Sequence, residues 1–162
     1  MRLMIFRHGI AEDHAADGTD ASRRRTREGV AQMKQIAPAL KKIARRPDAI
    51  LHSPRVRAAQ TAEPLGKAFD RKPQVLPVLA EENPKAILDE VCRRKEETLL
   101  LVGHEPTLGR MVQILLSGSD NGFVQMKKAG CACVDVEVEA GAYAGKGELK
   151  WLVTPKILEA IS

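Results

Sequence analysis

The apolar residues of this chain form short runs that are separated by longer stretches of mixed apolar and polar positions. Short apolar runs are typical of buried strands. The most continuous run, Leu99-Leu100-Leu101-Val102, is predicted to be central in a parallel sheet, where both faces of a strand are covered. The predicted strands in this part of the chain are residues 2–7, 49–52, 74–78 and 98–102.

The stretches between these runs repeat their apolar residues at steps of three and four, which is the period of an amphipathic helix. Thr26 is a suitable N-cap for a helix that runs to about residue 45, and Pro38 inside it is expected to cause a kink. Further helices are predicted over 56–69, over 84–94 and from Pro106 onward. The alternation of strands and helices predicts an α/β domain with a mostly parallel sheet.

The C-terminal part of the chain has a different pattern. Apolar and more polar positions alternate over 132–138, which predicts a half-exposed strand. A last strand is predicted over 149–153, and we expect these two strands to pair as an antiparallel edge of the sheet. Residues 10–25 and 117–130 are predicted to be loops. The whole chain, 1–162, is expected to form a single domain of three layers, with helices on both faces of the sheet.

The composition is that of an ordinary globular protein: 162 residues, of which 44% are hydrophobic and 29% charged. No apolar run has the length of a membrane span, and the first one is too short for a signal peptide, so a cytoplasmic location is expected. The three cysteines imply no disulfide framework, and their spacing from the histidines does not match a zinc site. We therefore expect reduced structural thiols and no bound metal.

The net charge of +5 favours anionic ligands. Nucleic acid is a poor candidate because the basic pairs are scattered and only 3% of residues are aromatic, which leaves few side chains to stack on bases. The one dense basic cluster, 23–27, is consistent with a solvated loop, a polyanion site or the rim of a phosphate pocket.

Three predicted strands end directly in residues that can bind or attack a phosphoryl group. Arg7-His8-Gly9 follows the first strand, Arg55 and Arg57 follow the second, and His104 follows the strand at 98–102. Ligands of parallel α/β sheets bind outside the carboxyl ends of the strands, so these residues are expected at one edge. Histidine can act as a covalent nucleophile, and arginine holds charged oxygens. Arg55 and Arg57 are two apart, so only one is expected to point inward.

Two carboxylates, Glu81 and Glu82, occupy a predicted loop before the helix at 84–94. Either could protonate a leaving group, and either could equally be an acidic residue that flanks a helix. Both interpretations stay open from the residues alone.

The assembled motifs resemble the histidine phosphatase superfamily over nearly the full length of the chain. The Arg-His-Gly signature of that family is matched by Arg7-His8-Gly9. Its Ser-x-x-x-Arg-Ala-x-Gln-Thr pattern is matched from Ser53 through Arg57 to Thr61, and its second histidine by Gly103-His104. The short length and the Gly-His-x-Pro form of the last motif are similar to those of the small bacterial phosphohistidine phosphatases of the SixA type.

This resemblance implies a phosphoglycerate-mutase-like fold and a metal-independent phosphatase without a cofactor. It implies that His8 is the nucleophile, that Arg7, Arg57 and His104 bind the phosphoryl oxygens, and that the substrate is surrounded by Gly9, Ser53, Arg55, Gly103 and Arg25. The usual Arg-Pro-Leu before Thr26 is Arg-Arg-Arg here, so the role of residues 23–25 is open. No large insertion follows the second strand, which disfavours a mutase.

The expected substrate is phosphohistidine on a phosphotransfer or phosphorelay protein, with inorganic phosphate as the product. One alternative is a general phosphatase of small phosphomonoesters. A third hypothesis, from another class, is a non-catalytic protein that binds polyanions.

Overall fold

The computed structural model describes all 162 residues and is built on one six-stranded sheet. The strands are β1 (Arg2–Arg7), β2 (Ala49–His52), β3 (Pro73–Val75), β4 (Thr98–Gly103), β5 (Cys131–Val136) and β6 (Gly147–Val153), in the order β3-β2-β4-β1-β5-β6. The first four strands pair in parallel, and β5 and β6 form an antiparallel edge. The predicted fold class, a mostly parallel sheet with an antiparallel edge near the C-terminus, is confirmed.

Helices cover both faces of this sheet: α1 (Arg27–Ile43), α2 (Val56–Phe69), α3 (Pro84–Val91), α4 (Thr107–Ser117) and α5 (Pro155–Ala160). Successive residues of a strand point to opposite faces. Leu3 and Ile5 of β1 therefore pack in one core with α3 and α4, whereas Met4 and Phe6 pack in a second core with α1, α2 and α5. None of the helices is long and apolar enough to cross a membrane.

The predicted helix starts are confirmed at their caps. The Thr26 hydroxyl accepts a hydrogen bond from the backbone N–H of Gly29 at 3.0 Å, and the Asn83 side chain accepts one from that of Ala86 at 3.1 Å. Helix α1 continues through Pro38. Helix α3 ends at Val91, three residues earlier than predicted.

Two expectations for the sheet edges are wrong. Strand β5 is not half-exposed: Cys131 and Cys133 are buried in the second core, and the opposite face of the strand is buried in the first. The face holding these cysteines is covered in part by α5, a helix that the apolar pattern did not predict. Strand β3 ends at Val75, and residues Pro77–Ala80 form a 3₁₀ helix instead of continuing it. The three cysteine thiols are free, as predicted.

Candidate active site

The parallel pairing of β1, β2 and β4 places their carboxyl ends at one edge of the sheet. Arg7 is in register with Gly103, and His52 is in register with Val102. The next residues along the chain are His8, Ser53 and His104, all of which are buried. The predicted meeting of these residues at one edge is therefore what the structure shows.

His8 is held in a defined orientation. Its Nδ1 lies 2.7 Å from the backbone carbonyl oxygen of Gly9, so Nδ1 carries the proton and donates it to that oxygen. This leaves Nε2 as the unprotonated nitrogen of the ring. Burial, together with the charges of Arg57, Arg7 and Lys128, lowers the pKa of His8 to about 4 against the opposing effect of the Gly9 hydrogen bond. His8 is thus a neutral imidazole at physiological pH, which is the form that a nucleophile needs.

Arg57 lies directly beside the unprotonated nitrogen of His8. Its Nε donates to His8 Nε2 at 3.3 Å, and its side chain is only 5% exposed. Thr61, one helical turn later, fixes this part of α2: its hydroxyl donates to the Arg57 carbonyl at 2.6 Å and accepts from the Gly9 N–H at 3.0 Å. Thr61 therefore ties the helix that carries the arginine to the loop that carries the nucleophile.

His104 stands next to His8, with 5.2 Å between the ring centroids. Its Nε2 lies 2.8 Å from the hydroxyl of Ser53, and its Nδ1 is buried without a partner. Burial, followed by the charges of His8 and Arg57, lowers the pKa of His104 to about 2. The His104 ring is therefore neutral in this structure, chiefly because burial disfavours its charged form and also because the charge of Arg57 opposes protonation.

Arg7 projects from the end of β1. Its Nη1 donates to the carbonyl of Met126 at 2.8 Å, and its Nε is buried without a partner. Glu105 supports this arrangement, because its carboxylate accepts from the backbone N–H groups of Met126 and Gly109. Burial lowers the pKa of Arg7, and the charge of Glu105 opposes that shift. Glu105 therefore anchors the segment that orients Arg7, a role with no signal in the sequence pattern.

Asp20 is the main residue of this region that the sequence analysis missed. Its carboxylate is bound by Arg57 Nη2 at 3.0 Å, Arg55 Nη1 at 3.2 Å and Arg23 Nη1 at 2.8 Å. Its backbone carbonyl also accepts from Arg57 Nη1 at 2.7 Å. The hydrogen bonds from Arg57 and Arg23 lower the pKa of Asp20 to about 2, so the carboxylate is ionised.

Arg55 and Arg57 both reach Asp20, although only Arg57 also contacts His8. The rule that residues two apart do not share a face applies within a helix, and α2 begins only at Val56. Arg55 is the extended residue before the helix, so its side chain is free to turn to the same side. It stays at the rim, however, with 24% of its side chain exposed.

The remaining predicted residues, Glu81, Glu82, Arg25 and Gly103, make no hydrogen bond to the side chains of this cluster. Glu81 and Glu82 are exposed and make no side-chain hydrogen bond or ion pair. Arg25 passes over Gly9, and its guanidinium has Nε and Nη1 buried and unpaired. Burial lowers the pKa of Arg25, and the charge of Glu63 opposes that shift. A Cβ at Gly103 would come within 3.1 Å of Leu108, so packing against Leu108 accounts for that glycine.

Comparison of the chain with known proteins identifies the class of enzyme to which this fold and this cluster of residues belong. The model of the histidine phosphatase superfamily (branch 1) matches residues 3–85, and the chain belongs to that family. A protein of Picosynechococcus sp. without a characterised function is 36% identical over 135 residues, which is 80% of this chain and 82% of that protein.

Solved structures place the chain more narrowly within the family. The protein histidine phosphatase SixA, complexed with tungstate, is 27% identical, with a TM-score of 0.79 over 98% of this chain and 99% of that chain. A phosphoserine phosphatase from Entamoeba histolytica, in complex with 3-phosphoglyceric acid, shares the fold at 15% identity, with a TM-score of 0.66 over 93% of this chain and 95% of that one. The resemblance to the SixA type is thereby confirmed.

Proposed function

We propose that this protein hydrolyses phosphohistidine on a phosphotransfer protein through a covalent phosphoenzyme on His8. The observation that carries the proposal is the state of His8: a neutral ring, oriented by the Gly9 carbonyl, whose unprotonated Nε2 accepts a hydrogen bond from Arg57 Nε at 3.3 Å. A nucleophile and a cation that binds oxygen are thus adjacent at the sheet edge where ligands of this fold class bind. Membership of the family and the similarity to SixA support the same conclusion.

The first step is an in-line attack of His8 Nε2 on phosphorus. A bond forms between Nε2 and phosphorus while the bond from phosphorus to the leaving group breaks. Charge stays on the three equatorial oxygens in a loose transition state, and fixed donors stabilise it there. Arg57 and Arg7 supply such donors, and the two unpaired buried nitrogens, Arg7 Nε and His104 Nδ1, are groups that a bound phosphoryl oxygen would satisfy.

The second step hydrolyses the phosphoenzyme. A water molecule attacks phosphorus in line, the bond between phosphorus and His8 Nε2 breaks, and inorganic phosphate leaves. The Gly9 carbonyl keeps the proton on Nδ1 in both steps, so the same nitrogen of the ring attacks and departs. Because all of these groups belong to the chain, the reaction is expected to need no metal.

The surroundings of the nucleophile favour phosphohistidine over esters. An alkoxide leaving group needs a proton, but Glu81 and Glu82 make no side-chain hydrogen bond or ion pair with the cluster, and the Asp20 carboxylate is held ionised by arginines. A substrate imidazole that is protonated on its distal nitrogen leaves as a neutral ring and needs no acid from the enzyme. The weak provision for leaving-group protonation therefore supports a phosphoramidate substrate.

The test is phosphate release from a phosphohistidine-bearing phosphotransfer protein and from p-nitrophenyl phosphate, with EDTA present throughout. We expect a higher kcat/KM for the protein, and loss of turnover on both substrates in His8→Ala. A second variant, with glutamine at both 81 and 82, should hydrolyse phosphohistidine at nearly the wild-type rate. Preference for the small ester would instead support a general phosphomonoesterase, and turnover that survives His8→Ala would refute the mechanism.

A further inference from the structure

We propose that Asp20 determines specificity by occupying the arginine cluster beside the nucleophile, so that it disfavours phosphorylated substrates that carry a carboxylate next to the phosphoryl group. This proposal rests on the proposed function, because it concerns the choice among substrates attacked by His8. It extends that function by naming a chemical class that the site rejects.

The position of Asp20 is that of a bound carboxylate. Three guanidinium groups, those of Arg23, Arg55 and Arg57, contact its two oxygens at 2.8, 3.2 and 3.0 Å. Pairing of a carboxylate with several guanidinium groups is how proteins recognise carboxylate ligands. The chain thus supplies from its own loop the group that such a cluster would otherwise take from a substrate.

This internal carboxylate lies close to the reacting atom. Arg57 donates to His8 Nε2 through Nε and to Asp20 through Nη2 and Nη1, so the nucleophile and Asp20 are on two sides of one guanidinium. A small phosphorylated molecule whose phosphoryl group is at His8 would extend its neighbouring substituents toward the same arginines.

Asp20 is also held firmly in this place. Arg23, which binds the carboxylate, is itself tied back to the loop by a hydrogen bond from its Nε to the Glu12 carbonyl at 2.6 Å. The side chain of Asp20 is 52% exposed, so a molecule that comes to these arginines from solvent can reach it. A second carboxylate arriving here meets an ionised one, and it must either bear the repulsion or displace Asp20 from three arginines.

A matched pair of substrates isolates this effect. O-Phosphoserine and O-phosphoethanolamine share the phosphate ester and the amine, and they differ in a single carboxylate. We expect the wild-type protein to favour O-phosphoethanolamine in kcat/KM by about tenfold, as repulsion by one fixed charge predicts. In Asp20→Asn the ratio should fall to about one, because O-phosphoserine gains access to the arginines. Asp13→Asn is the control, since it removes one exposed charge from the same loop and should leave the ratio unchanged.

The ratio separates specificity from simple positioning of Arg57. If Asp20 only orients Arg57, Asp20→Asn will lower kcat/KM equally for both compounds and keep the ratio, which overturns the proposal. Calorimetry gives the same comparison without turnover. It measures the dissociation constants of the two compounds in His8→Ala and in the double variant that also carries Asp20→Asn. Equal changes in the two dissociation constants would also overturn it. Failure of the proposed function would appear separately, as an absence of His8-dependent phosphate release.

Discussion

The depressed pKa of His8 has a measurable consequence for the acid side of the pH range. The ordinary pKa of the imidazole, 6.5, falls to about 4 in the folded protein, mainly because burial disfavours the charged ring and then because Arg57, Arg7 and Lys128 repel it. At pH 5, about 90% of a group with a pKa near 4 is neutral, compared with about 3% of a group with a pKa of 6.5. His8 should therefore keep its nucleophilic form well below neutral pH.

The direct assay is NMR titration of ¹⁵N-labelled histidine side chains between pH 7 and pH 3, with His8→Asn used to assign the His8 signals. We expect the His8 Nε2 resonance to shift with a midpoint near 4, and the neutral ring above that midpoint to be the tautomer protonated at Nδ1. The same spectra in denaturant provide the reference for the unfolded chain. A midpoint near 6.5 in the folded protein would refute the argument that burial and the arginines control this ring.

The same shift affects stability, with a definite sign. The unfolded chain binds a proton at His8 more readily than the folded chain does, so the stabilisation is present above pH 6.5 and is lost as the pH falls toward 4. Each pH unit in that window costs about 1.4 kcal/mol per histidine, which amounts to about 3 kcal/mol for His8. Urea titrations at pH 7 and pH 4 should show this loss in the free energy of unfolding of the wild-type protein. Between the same two pH values, His8→Asn should lose about 3 kcal/mol less than the wild type. Equal losses in both proteins would contradict the linkage.

Two further substitutions test the site and the fold. Arg57→Lys removes the Nε donor to His8 and the paired contacts with Asp20, so kcat/KM for p-nitrophenyl phosphate should fall by about 10²–10³-fold. The control Arg27→Lys, at an exposed position, should leave kcat/KM unchanged. A loss of less than about fivefold in Arg57→Lys would contradict the role of Arg57. Gly29→Ala places a Cβ 2.2 Å from the Ile10 carbonyl oxygen, so the free energy of unfolding in urea should fall by about 1–3 kcal/mol. An unchanged midpoint, relative to the exposed neighbour Val30→Ala, would disprove that close approach.

The alternation in β5 shows why an apolar pattern can misplace a strand. The alternation over 132–138 groups Cys133 with the acidic positions Asp135 and Glu137, and Cys131 lies on the same face as Cys133. In the structure both cysteines are in the second core, which also contains Leu158 of α5. A helix of six residues is too short to display a period, so the sequence contains little sign that this face of the sheet is covered.

The arginines show a second limit. Arg57 was identified from its motif, but its partner Asp20 comes from the middle of a long polar loop, 37 residues away along the chain. Several aspartates occupy that loop, and nothing in their spacing distinguishes the one that meets the arginines. Such an assignment needs the path of the loop over the sheet edge, which depends on contacts between distant residues.

The sequence by itself determined the order of strands and helices, the parallel sheet and the edge at which His8, Arg57 and His104 meet, because periodicity and strand ends are local properties and parallel strands bring their carboxyl ends together. Only the tertiary structure decided which nitrogen of His8 is unprotonated, that His104 is neutral, and that Asp20 pairs with three arginines. Proton positions and pKa values depend on burial and on charges brought close by folding, and these distances are not encoded in the spacing of any one segment.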